Sequence, residues 1–297
     1  MGRTFCLTLL LCGLAGQVPV PAQTNGDLRI STDWFQMPPN MALGLPLSVS
    51  CQAGGVIAIL RRQAEPPILL FTNQGTFVRG LGEGLFTGAH SVRFDREGFL
   101  WATDNTDNVV YKFSVDGKLL MTLGKRGMKG DNASQDLFDG PSDVNVAVNG
   151  DIFITDGYRN SRVVRFSREG KFLGIIGGTK GKGPGDFDLP HAIAIDSQGR
   201  LLVTDRNNFR IQVLDRNGNF IEQWADVGQP SGIYITADDM VYTNDLKADK
   251  IFVLNNRGKV VRTITGQGWA HLFGMDSAGN LYTADDKDRT VKKVSTP

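Results

Sequence analysis

Short runs of alternating apolar and polar residues cover most of the chain, and turn residues separate them. Residues 192–196 alternate, residues 197–200 carry a turn signal, and residues 201–204 form a second run. Runs of β-branched residues joined by Asn-Gly, Asp-Gly and Glu-Gly turns are typical of antiparallel hairpins. Beyond the N-terminal segment, no stretch has convincing helical periodicity. The pattern therefore predicts an all-β protein.

The same frame of strand, turn and strand occurs six times. In the fourth copy His191 opens the frame and Asp205 closes it 14 residues later. The other copies keep this spacing, with the opening and closing residues Leu47 and Arg61, His90 and Asp104, Ser142 and Asp156, Ser231 and Asp245, and His271 and Asp285. The copies lie about 40 to 50 residues apart, which is the period of a propeller blade. Four strands in each copy predict a six-bladed β-propeller.

The sixth copy ends after its third strand, at residues 291–294. We predict that residues 27–34, which precede the first copy, supply the missing strand. Pairing the two ends of the chain would close the ring and leave no open sheet edge. The longest linking segments, residues 125–139 and 178–189, are predicted to lie at the mouth of the central channel. No second domain is predicted within residues 23–297.

Residues 1–22 have the pattern of a secretory signal, with Arg3, an apolar run at 5–11 and small residues at 20–22. The run is too short for a membrane span. The signal predicts export, and removal of residues 1–22 would leave Cys51 as the one remaining cysteine, which excludes an internal disulfide. An exported chain without disulfides is typical of a secreted or periplasmic protein, and we predict that location. A net charge of +1 gives no strong field for nucleic acid or membrane. No nucleic-acid partner and no membrane insertion are therefore predicted. The predicted partner is a small-molecule or peptide substrate, and the protein is predicted to be a monomer.

All three histidines of the chain open a frame, in the second, fourth and sixth copies. The first strand of each propeller blade lines the channel, so these residues would approach one mouth about 120° apart. Three imidazoles with open positions opposite them are the ligand pattern of a catalytic zinc site. We predict that His90, His191 and His271 bind Zn²⁺ or another divalent transition ion. Three unrelated structural histidines are the alternative interpretation.

The third and fourth copies resemble NHL repeats. The fourth copy has G-x-F-x-x-P before its first strand and T-D-R-N-N-x-R-I-Q-V after its second. Within that group, residues 28–297 resemble the peptidylglycine amidating lyase family, which is itself a six-bladed propeller. The resemblance does not include the copper monooxygenase domain of the bifunctional animal enzymes. It implies a zinc-dependent lyase that cleaves the C–N bond of a C-terminal α-hydroxyglycine, giving a peptide amide and glyoxylate.

The resemblance also implies roles for individual residues. The three histidines match the family's metal ligands, and Tyr158, in the context D-G-Y-R-N-S-R, matches its catalytic tyrosine. Arg61 and Arg206 match two arginines of the family's pocket, although a register slip of one residue would make Arg62 the match. A phenol with an ordinary pKa near 10 needs a nearby metal or guanidinium to act as a base. A packed loop tyrosine and a surface ion pair are the alternative readings of Tyr158 and Arg206.

Arg61 closes the first frame, whereas the other five frames close with aspartate. We interpret those aspartates as acceptors for backbone N–H groups at strand ends. In the family the third metal motif reads P-H-D, with an aspartate that helps bind a structural calcium. Residues 270–272 read A-H-L here, so structural Ca²⁺ is doubtful and is not predicted. A metal-dependent lactonase-type hydrolase and a non-catalytic exported propeller that binds protein or glycan are the alternative functions.

Overall fold

The computed structural model describes residues 28–295, and the predicted signal segment 1–22 lies outside them. The described residues form six antiparallel four-stranded sheets. In each sheet the strands follow one another in chain order, except at the ring closure. This arrangement confirms the six-bladed propeller. The described residues contain one short helix, the 3-10 turn Arg206–Asn208.

Each of the first five blades is made from four consecutive strands. Blades one and two consist of β2 to β9, at Leu45–Cys51, Val56–Arg62, Ile68–Thr72, Phe77–Leu81, Ala89–Phe94, Leu100–Asp104, Val109–Phe113 and Leu119–Gly124. Blades three and four consist of β10 to β17, at Pro141–Val146, Ile152–Asp156, Arg162–Phe166, Phe172–Gly177, Pro190–Ile195, Leu201–Asp205, Arg210–Leu214 and Phe220–Trp224. Blade five consists of β18 to β21, at Pro230–Ile235, Val241–Asp245, Lys250–Leu254 and Val260–Ile264.

The sixth blade joins the two ends of the chain. Its inner strands β22 to β24 are Ala270–Met275, Leu281–Asp285 and Thr290–Ser295, and its outer strand is β1, Arg29–Ser31. Ile30 lies opposite Val294 in this antiparallel pair. The indole of Trp34 donates a hydrogen bond to the carbonyl of Val291 at 3.0 Å, which fastens the closure. The predicted N-terminal closing strand is therefore confirmed.

The core consists of apolar layers between neighbouring blades. Leu202 of blade four, for example, packs in one cluster with Ile233 of blade five and Leu272 of blade six. Because all three side chains are buried, truncating one of them to alanine would cost about 2–5 kcal/mol. This packing holds the six inner strands in fixed positions around the channel. Those strands begin at one mouth of the channel and end at the other.

An ion pair inside the channel involves Arg93, three residues beyond His90. The guanidinium of Arg93 donates to both carboxylate oxygens of Asp143, at 3.1 and 2.7 Å. It also donates to the carbonyl of Ile233 at 3.1 Å. Arg93 therefore links blade two to blades three and five inside the ring.

Candidate metal centre

The three histidines lie at the start of inner strands, where the backbone is irregular. In blade four, Pro190 pairs with Asp205, but the next pair along the ladder is Ile193 with Val203. The extra residue on the inner strand is a β-bulge, which turns the side chain of His191 away from the regular alternation. Corresponding register shifts occur beside His90 and His271. The bulges aim all three side chains into the channel mouth.

The three imidazole rings form a nearly equilateral triangle. Their centroids are 5.0, 5.0 and 5.1 Å apart. One ligand nitrogen from each ring lies within 4.8 Å of the other two. All three side chains are buried. Side chains separated by about 80 to 100 residues in sequence thus meet at one point near the ring axis.

Each histidine is held by the backbone of the next blade. The Nδ1 atoms of His90, His191 and His271 lie 2.6, 2.9 and 2.9 Å from the carbonyl oxygens of Ser142, Ser231 and Leu47. These three residues open the frames of blades three, five and one. A carbonyl can only accept, so Nδ1 carries the proton and Nε2 keeps its lone pair. The fold therefore fixes the tautomer that metal binding requires.

The protonation state of the histidines favours metal binding as well. Burial lowers the pKa of His271 to about 4, and it holds the pKa values of His90 and His191 well below their ordinary range. At neutral pH all three rings are neutral, so an incoming ion displaces no proton from them. Three neutral imidazole nitrogens with fixed tautomers suit a divalent transition ion.

Tyr158 lies directly over the histidines. Its hydroxyl oxygen is 2.8 Å from Nε2 of His90 and 3.2 Å from Nε2 of His191. The preceding Gly157 allows this approach, because a Cβ there would lie 2.1 Å from the carbonyl oxygen of Pro190. Burial raises the pKa of Tyr158, while the positive charges of Arg206 and Arg62 lower it in part. The D-G-Y turn therefore places a phenol against the Nε2 atoms of His90 and His191.

The structure corrects the placement predicted for Arg61. Its buried guanidinium donates to backbone carbonyls of the surrounding loops, those of Ala42, Glu65 and Pro66. Arg61 occupies the same frame position as the closing aspartates, which also bind loop backbone. Asp104, for example, accepts from four backbone N–H groups. Arg61 thus anchors loops and does not reach the cavity over the histidines.

The residue that follows the frame-closing position faces the cavity instead. In blade one this residue is Arg62, and in blade four it is Arg206, on the opposite side of the ring. Arg62 is fixed by hydrogen bonds to the carbonyl of Ala89 at 2.6 Å and to the side chain of Asn105 at 2.9 Å. This position lies 15 residues after the frame opening, one residue beyond the closing position. Arg206, which the resemblance assigned to the pocket, lines the cavity.

The cavity over the histidines has a volume of about 370 Å³. Apart from the residues already described, its lining comes from three blades, with Leu47, Gln229, Leu246, Lys247, Trp269 and Asp286. The sequence analysis did not single out the last five of these. The linking segments 125–139 and 178–189 do not contribute to the lining, contrary to the prediction for the mouth. Instead they receive hydrogen bonds from blade residues, as when Arg210 donates to the carbonyl of Gly183 at 3.0 Å.

Comparison with known proteins agrees with this architecture. The model of the NHL repeat matches residues 138–166 and 187–214. Human NHL repeat-containing protein 3 is 35% identical over 251 residues, which cover 77% of this chain and 72% of that protein. The chain belongs to the NHL-repeat family.

Other relatives bear the name of an enzyme. A Caenorhabditis elegans protein named "Probable peptidyl-alpha-hydroxyglycine alpha-amidating lyase" is 30% identical over 215 residues, covering 70% of this chain. This chain spans 58% of that relative's length. A gluconolactonase from Xanthomonas campestris shares the fold, with a TM-score of 0.68 at 17% identity over 92% of this chain and 91% of the other.

Within residues 28–295, the three histidines form the one group of at least three His, Cys, Asp or Glu side chains placed to hold a metal ion. Leu272, at the position of the family's calcium-binding aspartate, is buried in an apolar cluster. Across the same residues no helix has the length and apolarity needed to cross a membrane.

Acid is expected to destabilise the metal-free NHL-repeat protein. The lowered histidine pKa values mean that the unfolded chain binds protons below about pH 6.5 that the folded chain does not. The contribution of the histidines to the free energy of unfolding is therefore complete above that pH, and it is lost as the pH falls toward about 4, where His271 becomes protonated in the folded state. His271 alone contributes ~3 kcal/mol to that free energy. Thermal unfolding across this range measures the loss, and a constant Tm would contradict it.

Proposed function

We propose that this protein is a metal-dependent lyase that cleaves the C–N bond of a C-terminal α-hydroxyglycine, giving an amide and glyoxylate. The observation that carries the proposal is the meeting of three neutral histidine nitrogens with one phenol, whose oxygen lies 2.8 and 3.2 Å from two of them. Two arginines line the same cavity. The amidating-lyase name of a relative at 30% identity supports this chemistry.

His90, His191 and His271 would hold the ion, which we propose to be zinc. When bound, zinc supplies Lewis-acid polarisation of the substrate hydroxyl and a positive charge that favours phenolate at Tyr158. The hydrogen bonds from the three Nδ1 atoms to backbone carbonyls keep the rings from rotating. The protein thus brings a preformed ligand set to the reaction.

Tyr158 would act as the general base. Its oxygen would accept the proton of the substrate α-hydroxyl while the C–N bond breaks and the hydroxyl carbon becomes the aldehyde of glyoxylate. The amide nitrogen leaves with the bonding electrons and gains a proton. The positive charges of Arg206 and Arg62 lower the pKa of Tyr158 and so assist its deprotonation.

Arg62 and Arg206 would bind the substrate carboxylate. They lie in blades one and four and approach the cavity from opposite sides. Guanidinium groups bind carboxylates through paired, charge-assisted hydrogen bonds. This contact would orient the hydroxyl toward Tyr158. We assign to Arg62 the role that the resemblance implied for Arg61.

The proposal is tested by incubating the zinc-loaded protein with an α-hydroxyglycine-terminated peptide and assaying glyoxylate. Release that depends on zinc is the expected result. A folded protein that carries metal but releases no glyoxylate would refute the proposed function. Turnover of a lactone panel in its place would identify a hydrolase, and inactivity on both would favour a binding propeller.

We further propose that the protein is exported and monomeric. Size-exclusion chromatography of the mature chain tests whether it is a monomer.

Exchange of the neighbouring arginines is expected to separate their roles. Arg62→Gln should lower kcat/KM by roughly 10- to 100-fold, because it removes one charge-assisted bond to the substrate. Arg61→Gln is the matched control and should lower Tm, since three loop carbonyls lose their donor, while kcat/KM stays near the wild-type value. The opposite pattern, with Arg61 controlling kcat/KM, would return the role to Arg61.

A further inference from the structure

Two side chains of the cavity over the histidines carry a buried polar atom without a hydrogen-bond partner in residues 28–295. These atoms are Nε of Arg206 and Oδ1 of Asp286. A buried polar atom without a partner is costly, so each such atom in a native structure requires an explanation. The proposed function supplies one for Arg206, which binds a carboxylate. It leaves Asp286 without a role.

The position of Asp286 in the fold shows why it faces the cavity. It follows the frame-closing Asp285, just as Arg62 and Arg206 follow the closing residues of their own blades. The carboxylate of Asp285 turns away and accepts from the backbone N–H of Trp269 and from Lys292, each at 2.9 Å. Two adjacent carboxylates thus have different environments. Asp285 ties loops together, and Asp286 lines the cavity.

The reacting end of the proposed substrate has three polar groups. Its carboxylate matches the two arginines, and its hydroxyl matches Tyr158 and the three histidines. The third group is the N–H of the scissile amide, a donor that needs an acceptor. Among the cavity residues, Asp286 contributes the one carboxylate. An ionised carboxylate is an acceptor only, so its charge and hydrogen-bonding capacity suit an N–H.

We infer that Asp286 accepts a hydrogen bond from the amide N–H of the substrate and thereby selects secondary amides. This inference rests on the proposed function. The bond holds the C–N bond in a fixed direction relative to Tyr158, and N-alkylated substrates lack it. Asp286 is therefore a specificity-determining residue in blade six, placed between the carboxylate-binding arginines of blades one and four.

The test compares two unreactive ligands that differ only at the nitrogen. An N-acylglycine has the N–H, and the corresponding N-acyl-N-methylglycine lacks it, while both have the same carboxylate. Binding of each ligand to the zinc-loaded wild type and to Asp286→Ala is measured by calorimetry. The wild type should prefer the N–H ligand by roughly 10-fold or more, the value of a hydrogen bond to a charged group. In Asp286→Ala the preference should fall to nearly one.

The ratio of the two affinities removes the general electrostatic effect of the substitution. Loss of a negative charge strengthens binding of any carboxylate, but it does so equally for both ligands. Asp288→Ala is the matched control, because Asp288 is an exposed carboxylate of the same turn whose side chain is 67% exposed. It should keep the wild-type preference. If Asp286→Ala does not fold, Asp286→Asn replaces it and should reduce the preference at least about threefold, since a neutral oxygen accepts more weakly.

An equal preference in the wild type and in the Asp286 variant would overturn the inference, as would failure of the wild type to bind either ligand. Glyoxylate release from an α-hydroxyglycine peptide is measured on the same wild-type preparation. Absence of glyoxylate counts against the proposed reaction alone, whereas release with an unchanged binding ratio counts against Asp286 alone. Methylation of the scissile nitrogen in the peptide should lower kcat/KM in the wild type by roughly 10-fold more than in Asp286→Ala.

Discussion

His191→Ala is expected to remove the bound metal and to lower glyoxylate release by more than roughly 100-fold. Loss of a residue that only supports a metal ligand costs about 10- to 100-fold, and loss of the ligand itself should cost more. His191 supplies one of three converging nitrogens, and its Nε2 lies 3.2 Å from the hydroxyl of Tyr158. The remaining pair leaves a site with too few protein ligands for a catalytic zinc. Elemental analysis after dialysis gives the metal content, and the glyoxylate assay gives the rate.

Ser231→Ala is the control for this prediction. Ser231 occupies the same frame position in blade five. Its hydroxyl lies 3.2 Å from Nδ1 of His191, but the nearer acceptor of the Nδ1–H is its backbone carbonyl at 2.9 Å, which alanine keeps. The control should retain one ion per chain and most of the activity. Thermal unfolding verifies that both variants fold. A His191→Ala protein that keeps one equivalent of tightly bound ion would show that the three histidines are not its ligands.

Tyr158→Phe is expected to lower kcat by about 10²- to 10⁴-fold, the range of a lost general base. The substitution removes the oxygen that lies 2.8 Å from Nε2 of His90 but keeps the ring. Metal content and the binding of an N-acylglycine should stay close to the wild type, because neither depends on that oxygen. The effect should therefore appear in kcat rather than in KM.

Tyr242→Phe provides the matched control for Tyr158→Phe. Tyr242 lies in β19 and does not line the cavity over the histidines. Its loss of a hydroxyl should leave kcat unchanged. If Tyr158→Phe also keeps its kcat with metal bound, the base is another group, and the assignment of Tyr158 fails.

The ring and the meeting of the histidines could be predicted because both follow from a repeat. A frame of fixed length places its opening residue at the same point of every blade, so His90, His191 and His271 had to approach one mouth. The closing strand was equally visible, because a sixth copy with three strands leaves one to be supplied. Residues 29–31 pair with β24 as predicted.

The arginines show where counting along the sequence is insufficient. The frame opens at a bulge of the inner strand, and its closing residue lies on the second strand. The closing residue faces the loops, and the residue after it lines the cavity. Arg61 and Arg62 have the same chemistry, and their sequence positions alone do not separate them. The Nδ1 atoms of the histidines bond to backbone carbonyls of the adjacent blades. Every residue type has a backbone carbonyl, so the sequence does not reveal these acceptors.

Asp286 could not be predicted as a cavity residue for a related reason. It follows Asp285, a member of the repeated closing set, and two adjacent carboxylates in a turn resemble a solvated surface. Only the packing of blade six shows that one of them lines the cavity and keeps an oxygen without a partner among the described residues. The proposed function thus depends on single departures from a regular repeat.

The site is tested most directly by anomalous diffraction from crystals of the zinc-loaded protein, recorded at the zinc absorption edge. The structure predicts one peak near the ring axis, with Nε2 of His90, His191 and His271 at about 2.0–2.1 Å. A peak elsewhere, or no peak between these rings in protein that carries one zinc per chain, would contradict the three-histidine centre.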